Sequence, residues 1–287
     1  MPLAEDIGLA YEQYYTHAAQ TPGRDMLSTL FAAAKRGYLA NMWGYGQGVS
    51  AAKRIMGLLP LIYPGRKTEL DFSVMWLDAR HTGRLLDVGA GSGGLVERMN
   101  ALGWCAEGLD FDRQSVENGR ARGLRLHLGG LPDQQFPEQS FDAVTMSHSI
   151  EHVHDPVGWL AEARRILKRG GRLSIATPNA RSFLHRRFGE SWFALDPPRH
   201  LHLFNRDTLR SALHKAGFER LSISTSVRDV NGAWRGSRAI QREGRYDMLS
   251  RAPRGLLLAS RLVLLAIAAR ALIDPDAGED LIALAQR

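Results

Sequence analysis

From Arg84 onward, short apolar runs alternate with stretches of helical period. Residues 84–88 (RLLDV), 104–109, 124–128 (LRLHL), 141–146 and 172–176 read as strands, brief aliphatic runs bounded by turn residues. Residues 95–102, 116–121 and 159–167 fall in helical patterns between them. Strands that alternate with helices imply right-handed βαβ units and a parallel sheet. A further helix at 207–216 is stopped by Gly217, and 221–227 (LSISTSV) alternates as a sixth strand. Residues 228–278 interrupt the pattern, and 280–285 (DLIALA) returns as a seventh strand, which predicts an open, doubly wound α/β sheet with a helical insertion. Residues 1–80 show no strand alternation. They are rich in Ala, Leu and aromatics (Tyr11, Tyr14, Tyr15, Tyr38, Trp43, Tyr45), so they read as an N-terminal helical cap preceding a domain at 81–287.

Composition narrows the class. With 44% hydrophobic and 23% charged residues over 287, the chain has the proportions of a packed protein, which excludes a disordered or fibrous one. The single cysteine, Cys105, excludes an internal disulfide. The acidic opening MPLAEDIGLA has no basic run before an apolar stretch, which predicts no secretion leader and a cytoplasmic protein.

The net charge of +7 is not spread evenly. Residues 228–270 hold nine arginines against Asp229, Glu243 and Asp247, while the rest of the chain carries 28 basic and 27 acidic residues. That argues for one local basic face and against a nucleic-acid partner. Within it, 255–273 is strongly apolar yet contains Arg261 and Arg270, too much charge for a membrane span. Two readings stay open: a packed helix with arginine stems laid over it, or an apolar lid that meets anionic headgroups at the inner membrane face.

The loop Gly89-Ala90-Gly91-Ser92-Gly93-Gly94 follows the first strand and opens a helix, where a backbone can approach a nucleotide closely. As GxGxxG it fits a dinucleotide; as DxGxGxG, with Asp87, it fits S-adenosylmethionine. The Asp87 carboxylate would repel a pyrophosphate but suits a ligand with an ammonium and a sulfonium. Asp110, at the end of the second strand and 21 residues after Gly89, is spaced to accept ribose hydroxyls from either cofactor.

With LLDVGAGSGGLVERM (85–99), GLDFD (108–112), FPEQSFDAVTMSHSIEHVHDP (136–156) and LKRGGRLSIATPN (167–179), the chain resembles the class I S-adenosylmethionine-dependent methyltransferases. The nearest texture is that of bacterial small-molecule and glycan-pathway enzymes, with a more distant likeness to the ubiquinone-pathway O-methyltransferases. The resemblance implies a Rossmann-like seven-stranded sheet whose last strand is antiparallel. It places Gly89, Gly91 and Gly93 under the methionine part, Asp110 on the ribose, and Met146 and Ser147 beside the sulfur. Gly130 stands where many relatives have an acid facing the adenine, so that contact falls to the backbone at Leu131. Arg66 or Lys67 is a candidate partner for the cofactor carboxylate.

The resemblance implies methyl transfer, and a hydroxyl acceptor then needs a proton acceptor. Histidine suits this by its ordinary pKa, and histidines cluster after the fourth and fifth strands. His148 and His152 are four apart, and His200 and His202 two apart in a segment rich in aromatics and proline. These four are the catalytic candidates. No HExxH or CxxC spacing is present, which predicts no metal. The reading is a methyltransferase acting on a hydroxyl of a small-molecule, glycan or lipid-linked acceptor. An NAD-type oxidoreductase and a catalytically silent binding module of the same fold are the alternatives.

Overall fold

The computed structural model describes residues 26–246 and 253–287, with side chains from residue 29. Tyr11, Tyr14, Tyr15 and Arg251 lie outside the described residues.

Seven strands form one sheet: β1 (Arg84–Val88), β2 (Cys105–Asp110), β3 (Leu126–Leu128), β4 (Phe141–Ser147), β5 (Leu167–Pro178), β6 (Arg220–Ser226) and β7 (Asp280–Gln286). The order is β3-β2-β1-β4-β5-β7-β6, and β7 runs antiparallel to both its neighbours while the rest are parallel. The strand order reverses between β1 and β4, the crevice where open α/β sheets bind ligands.

The helices are α1 (Met26–Trp43), α2 (Ala51–Met56), α3 (Pro64–Phe72), α4 (Gly94–Ala101), α5 (Arg113–Ala121), α6 (Pro156–Ile166), α7 (Phe183–Phe188), α8 (Arg206–Lys215), α9 (Val230–Glu243) and α10 (Arg254–Arg270). Local chemistry sets their starts. Asp112 caps α5 by accepting from the Gln114 amide, and Asp155 caps α6 at Gly158 with Pro156 in the first turn. Asn205 and Thr208 close a reciprocal capping box on α8.

Alternation along β1 divides the core. Leu86 and Val88 face one cluster with Leu160, Ile166, Leu209 and Phe218, whereas Leu85 faces Val96, Met99 and Tyr38. Covered on both faces, β1 is buried from Leu85 to Val88, which explains why it reads as an unbroken apolar run.

Two boundaries differ from the sequence reading. β5 begins at Leu167, not 172, because Leu167 pairs with Phe141 and a register shift between Phe141 and Ala143 accommodates Gly170-Gly171 within the strand. Among the described residues the insertion forms two helices, α9 and α10, and four of its arginines engage protein groups while Arg254 and Arg261 are exposed. Arg228 turns inward to His148, Arg235 bonds the Asn231 carbonyl, Arg238 lies over Trp234 and Arg270 over Phe183.

Candidate active site

At the carboxyl ends of β1 and β4 lies a cavity of about 250 Å³, lined by Phe72, Met75, Asp87, Gly89, Arg98 and Ser147 among others. Its floor is the glycine loop. Gly89, Gly91 and Gly93 all have left-handed backbones, with φ of 79°, 52° and 85°. Their surroundings differ. A Cβ on Gly89 would sit 2.6 Å from the Ser149 side chain, and one on Gly93 2.7 Å from Leu124, so these two are packing positions. A Cβ on Gly91 would meet nothing within 4 Å; it faces open space, as a ligand cradle must.

The loop is held by Asp110. One carboxylate oxygen accepts from the Gly91 amide at 2.7 Å and the other from the Asp112 amide at 2.9 Å. Each oxygen has a second acceptor position, so Asp110 can anchor the loop and receive a ligand hydroxyl together. Burial raises its pKa against these hydrogen bonds.

Asp87 is buried and accepts from the Thr145 hydroxyl at 2.7 Å. Burial, with Asp110 adding, pushes its carboxyl up to about 6 against Thr145 and Arg98. A carboxylate kept from water in this way gains from a bound cation.

Arg98 is a residue the sequence reading missed. It lines the cavity and donates to the Ser73 carbonyl at 2.6 Å, and burial lowers its pKa. Arg66 is elsewhere: it pairs with Glu69 on the exposed side of α3 and lies over Phe31. Lys67 is bound to Asp71. Neither is among the cavity's lining residues, whereas Arg98 is.

The roof comes from the helices before β1. Asp71 accepts from Tyr38, Trp43 and Lys67, which ties the end of α3 to α1 and delivers Phe72 and Met75 to the cavity. Met75 and Trp76 both hold positive φ, of 47° and 54°, a conformation the packing around them must impose.

Beyond the loop, Gly130 lies between Phe111 and Trp159, whose rings are 5.7 Å apart. Asp133 accepts from the Gly130 amide, so an acid does reach this spot, three residues later than the sequence reading sought it. Leu131 is fully buried and opens the short turn at Pro132–Gln134. Met146 is also buried, and Ser147 lines the cavity.

His148 follows Ser147 with a positive φ of 49° and packs against Phe72. Its Nε2 accepts from Arg228 at 2.9 Å, and its Nδ1 lies 3.5 Å from Glu151. Burial opposes its charge, but Glu151 and Asp280 overcome burial and Arg228 and push the ring up to about 8. Arg228 itself stacks on Phe72 and pairs with Asp229.

The loop 192–204 folds back on β4. The Leu201 and His202 amides both donate to the Glu151 carbonyl, at 2.9 and 3.1 Å. This brings His200 against His152, with ring centroids 4.8 Å apart. His202 is different. Its ring lies beside Phe204 and its Nε2 is buried without a hydrogen-bond partner. His200 packs on His152 and His202 on Phe204, so the two rings have different neighbours. Asn179, at the edge of the site, spends its side chain on the carbonyls of Asp276 and Gly278, a turn role.

A family model described as a methyltransferase domain matches residues 66–223, more than half of the chain. A ubiquinone biosynthesis O-methyltransferase of Xanthomonas oryzae pv. oryzae is 30% identical over 68% of this chain and 80% of that one. A demethylmenaquinone methyltransferase of Corynebacterium efficiens is 34% identical over 35% of this chain, and the match spans 44% of that relative. Among solved structures, a phosphoethanolamine N-methyltransferase of Haemonchus contortus, 17% identical, covers 88% of this chain and 60% of its own with a TM-score of 0.53; it shares the fold. The oxidoreductase alternative falls with these matches, as the buried Asp87 beside the glycine loop already suggested. The chain belongs to the S-adenosylmethionine-dependent methyltransferases.

Proposed function

We propose that the protein methylates a hydroxyl of a small-molecule, glycan or lipid-linked acceptor, with His148 taking the proton. The observation that carries this is placement: His148 follows Ser147 and packs on Phe72, and both of those residues line the donor cavity. S-adenosylmethionine supplies an already activated methyl group on its sulfonium. Asp87 binds the ammonium and sulfonium, Arg98 the carboxylate, Asp110 the ribose, and Phe111, Leu131 and Asp133 the adenine. Met146 and Ser147 border the sulfur. Helices of the 1–80 segment cap the cavity and exclude water, and 81–287 is the binding domain.

In the neutral form of His148, which predominates above its pKa of about 8, Glu151 orients Nδ1–H while the acceptor hydroxyl replaces Arg228 at Nε2. The Glu151 contact is long for a hydrogen bond, as such contacts often are before substrate binds. None of His152, His200 and His202 is among the residues lining the donor cavity. The named O-methyltransferase relative supports oxygen as the target. The test is transfer of a labelled methyl group to a purified acceptor, with the product identified as an ether; an N- or C-methyl product would overturn the reading.

Asp87 gives the donor site a pH dependence. A bound cation favours the charged carboxylate, so affinity for S-adenosylmethionine should rise from pH 5 and level off above the Asp87 pKa of about 6. Calorimetric titration across pH 5–8 should show this rise, and Asp87→Asn should bind weakly and without it. A flat wild-type profile would remove Asp87 from the donor site.

A lipid-linked acceptor has support on the surface of α10. Ser260, Leu264 and Ile267 face inward, leaving the opposite row of Leu258, Leu262 and Leu265 exposed. Leu272 and Ile273 follow, 86% and 83% exposed, and α10 abuts α3 where Leu264 meets Gly65, next to exposed Leu59, Leu61 and Ile62. Arg254 and Arg261 are exposed on the same helix. Among the described residues no helix is long and apolar enough to cross a membrane. This face fits a peripheral contact with an anionic bilayer at the cytoplasmic side. The protein should co-sediment with phosphatidylglycerol vesicles but not with phosphatidylcholine ones. Each arginine should contribute about 1 kcal/mol, and salt should weaken the association. If the wild type ignores both vesicles, α10 is purely structural.

A further inference from the structure

The Arg228 side chain reaches the proposed base and is held from several sides. Its backbone amide donates to the Ser226 hydroxyl at 3.2 Å, which fixes the turn between β6 and α9. Its guanidinium lies over the Phe72 ring, 3.7 Å from the centroid. It pairs with Asp229, and its Nε faces the buried Asp280 at 3.6 Å. A cation anchored by two carboxylates and an aromatic face does not need a histidine as well, yet its Nη2 also lies 2.9 Å from His148 Nε2.

A guanidinium can only donate, so this contact requires a lone pair on Nε2 and puts the ring hydrogen on Nδ1, toward Glu151. A fixed N–H and the lone pair of the base therefore face each other across one gap. A hydroxyl satisfies both, because its hydrogen can go to Nε2 while its oxygen accepts from Nη2. The oxygen then keeps its second lone pair for attack on the methyl group. An amine nitrogen has one lone pair and would have to spend it on Arg228.

We propose that Arg228 is a further catalytic residue: the acceptor hydroxyl enters between His148 Nε2 and Arg228 Nη2, and the guanidinium stabilises the negative charge that develops on its oxygen. The proposal rests on the reading of His148 as the base. In the transfer, an oxygen lone pair forms the bond to the methyl carbon as the carbon–sulfur bond breaks, and the electrons of that bond return to sulfur, leaving a neutral thioether. The hydroxyl proton passes to Nε2. The imidazolium so formed faces Glu151 from the turn after β4 at 3.5 Å, Asp229 before α9 at 3.7 Å and Asp280 of β7 at 3.9 Å. Arg228 opposes its charge, and Phe72 of α3 adds none. Three carboxylates against one cation accord with a ring pushed up to about 8.

The test compares the full-length wild type with Arg228→Met and Arg228→Lys. Turnover is read as single-turnover transfer of a labelled methyl group to the acceptor fraction that the wild type labels, over pH 6–10. Titration of the histidine rings is followed by nitrogen NMR without acceptor. Arg228→Met should lower turnover by about 10²- to 10³-fold, the usual cost of removing one oxyanion donor. Affinity for S-adenosylmethionine should stay within about twofold, because Arg228 is not among the residues lining the donor cavity. The acidic limb of its pH profile should move to higher pH, since the charge that opposes protonation of His148 is gone. His148 should titrate at higher pH in Arg228→Met for the same reason, a shift that a merely structural role would not produce. Arg228→Lys keeps the charge, so it should recover at least about tenfold of the lost turnover and titrate near the wild type; far-ultraviolet dichroism checks that both variants fold. If Arg228→Met does not fold, Arg228→Gln takes its place with the same expected results. Turnover in Arg228→Met within about threefold of wild type, or a His148 titration unmoved by the substitution, would overturn the proposal. Full turnover in His148→Ala would instead remove the reading of the base on which it rests.

Discussion

His148→Ala is expected to lower the turnover of methyl transfer by roughly 10²- to 10⁴-fold, the usual contribution of a positioned general base. Affinity for S-adenosylmethionine should stay within about twofold of wild type, because His148 borders the cavity through Phe72 and is not among its lining residues. The assay is single-turnover transfer of a labelled methyl group to the acceptor fraction that the wild type labels. A fall in turnover with cofactor binding intact separates proton transfer from a folding defect. Unchanged turnover would place the base elsewhere, and His200→Ala is the next variant to compare. If the wild type binds S-adenosylmethionine but labels no acceptor, the fold serves as a silent binding module.

Asp110→Ala should weaken S-adenosylmethionine binding by more than tenfold. Two effects add. The ribose loses charge-assisted hydrogen bonds, worth about 1.5–3 kcal/mol each. The Gly91 and Asp112 amides also lose the oxygens that shape the loop, at 2.7 and 2.9 Å. Gly91→Val should do comparable damage for a different reason. Its φ of 52° strains any β-branched residue, and its side chain would project into the space left open above the loop. Both variants should keep the sheet intact, as seen by far-ultraviolet dichroism.

The strands were legible because a parallel sheet covered on both faces needs continuous apolar runs, and RLLDV is one. The glycine loop, Asp87 and Asp110 were legible too, since a close backbone approach and a nearby acid leave a fixed spacing. The caps at Asp112 and Asp155 follow from local chemistry alone.

What the sequence concealed depends on contacts between distant segments. Arg98 sits in α4 with the look of a surface arginine, and only the turn of β1 into that helix aims it at the cavity. Arg66 looked better placed, yet an α3 residue one turn from Glu69 pairs with it on the outside. Phe72 and Met75 reach the site because Asp71 is gripped from α1, a link with no sequence signal. The meeting of His152 with His200, and the separation of His202 from both, is likewise a product of the loop folding back onto the Glu151 carbonyl.

The most direct test of the whole account is calorimetric titration of the full-length protein with S-adenosylmethionine and, separately, with NAD. One saturable site for S-adenosylmethionine, weakened more than tenfold by Asp110→Ala and with no heat from NAD, is the predicted result. Binding of NAD without S-adenosylmethionine, or S-adenosylmethionine binding indifferent to Asp110 and Asp87, would contradict it.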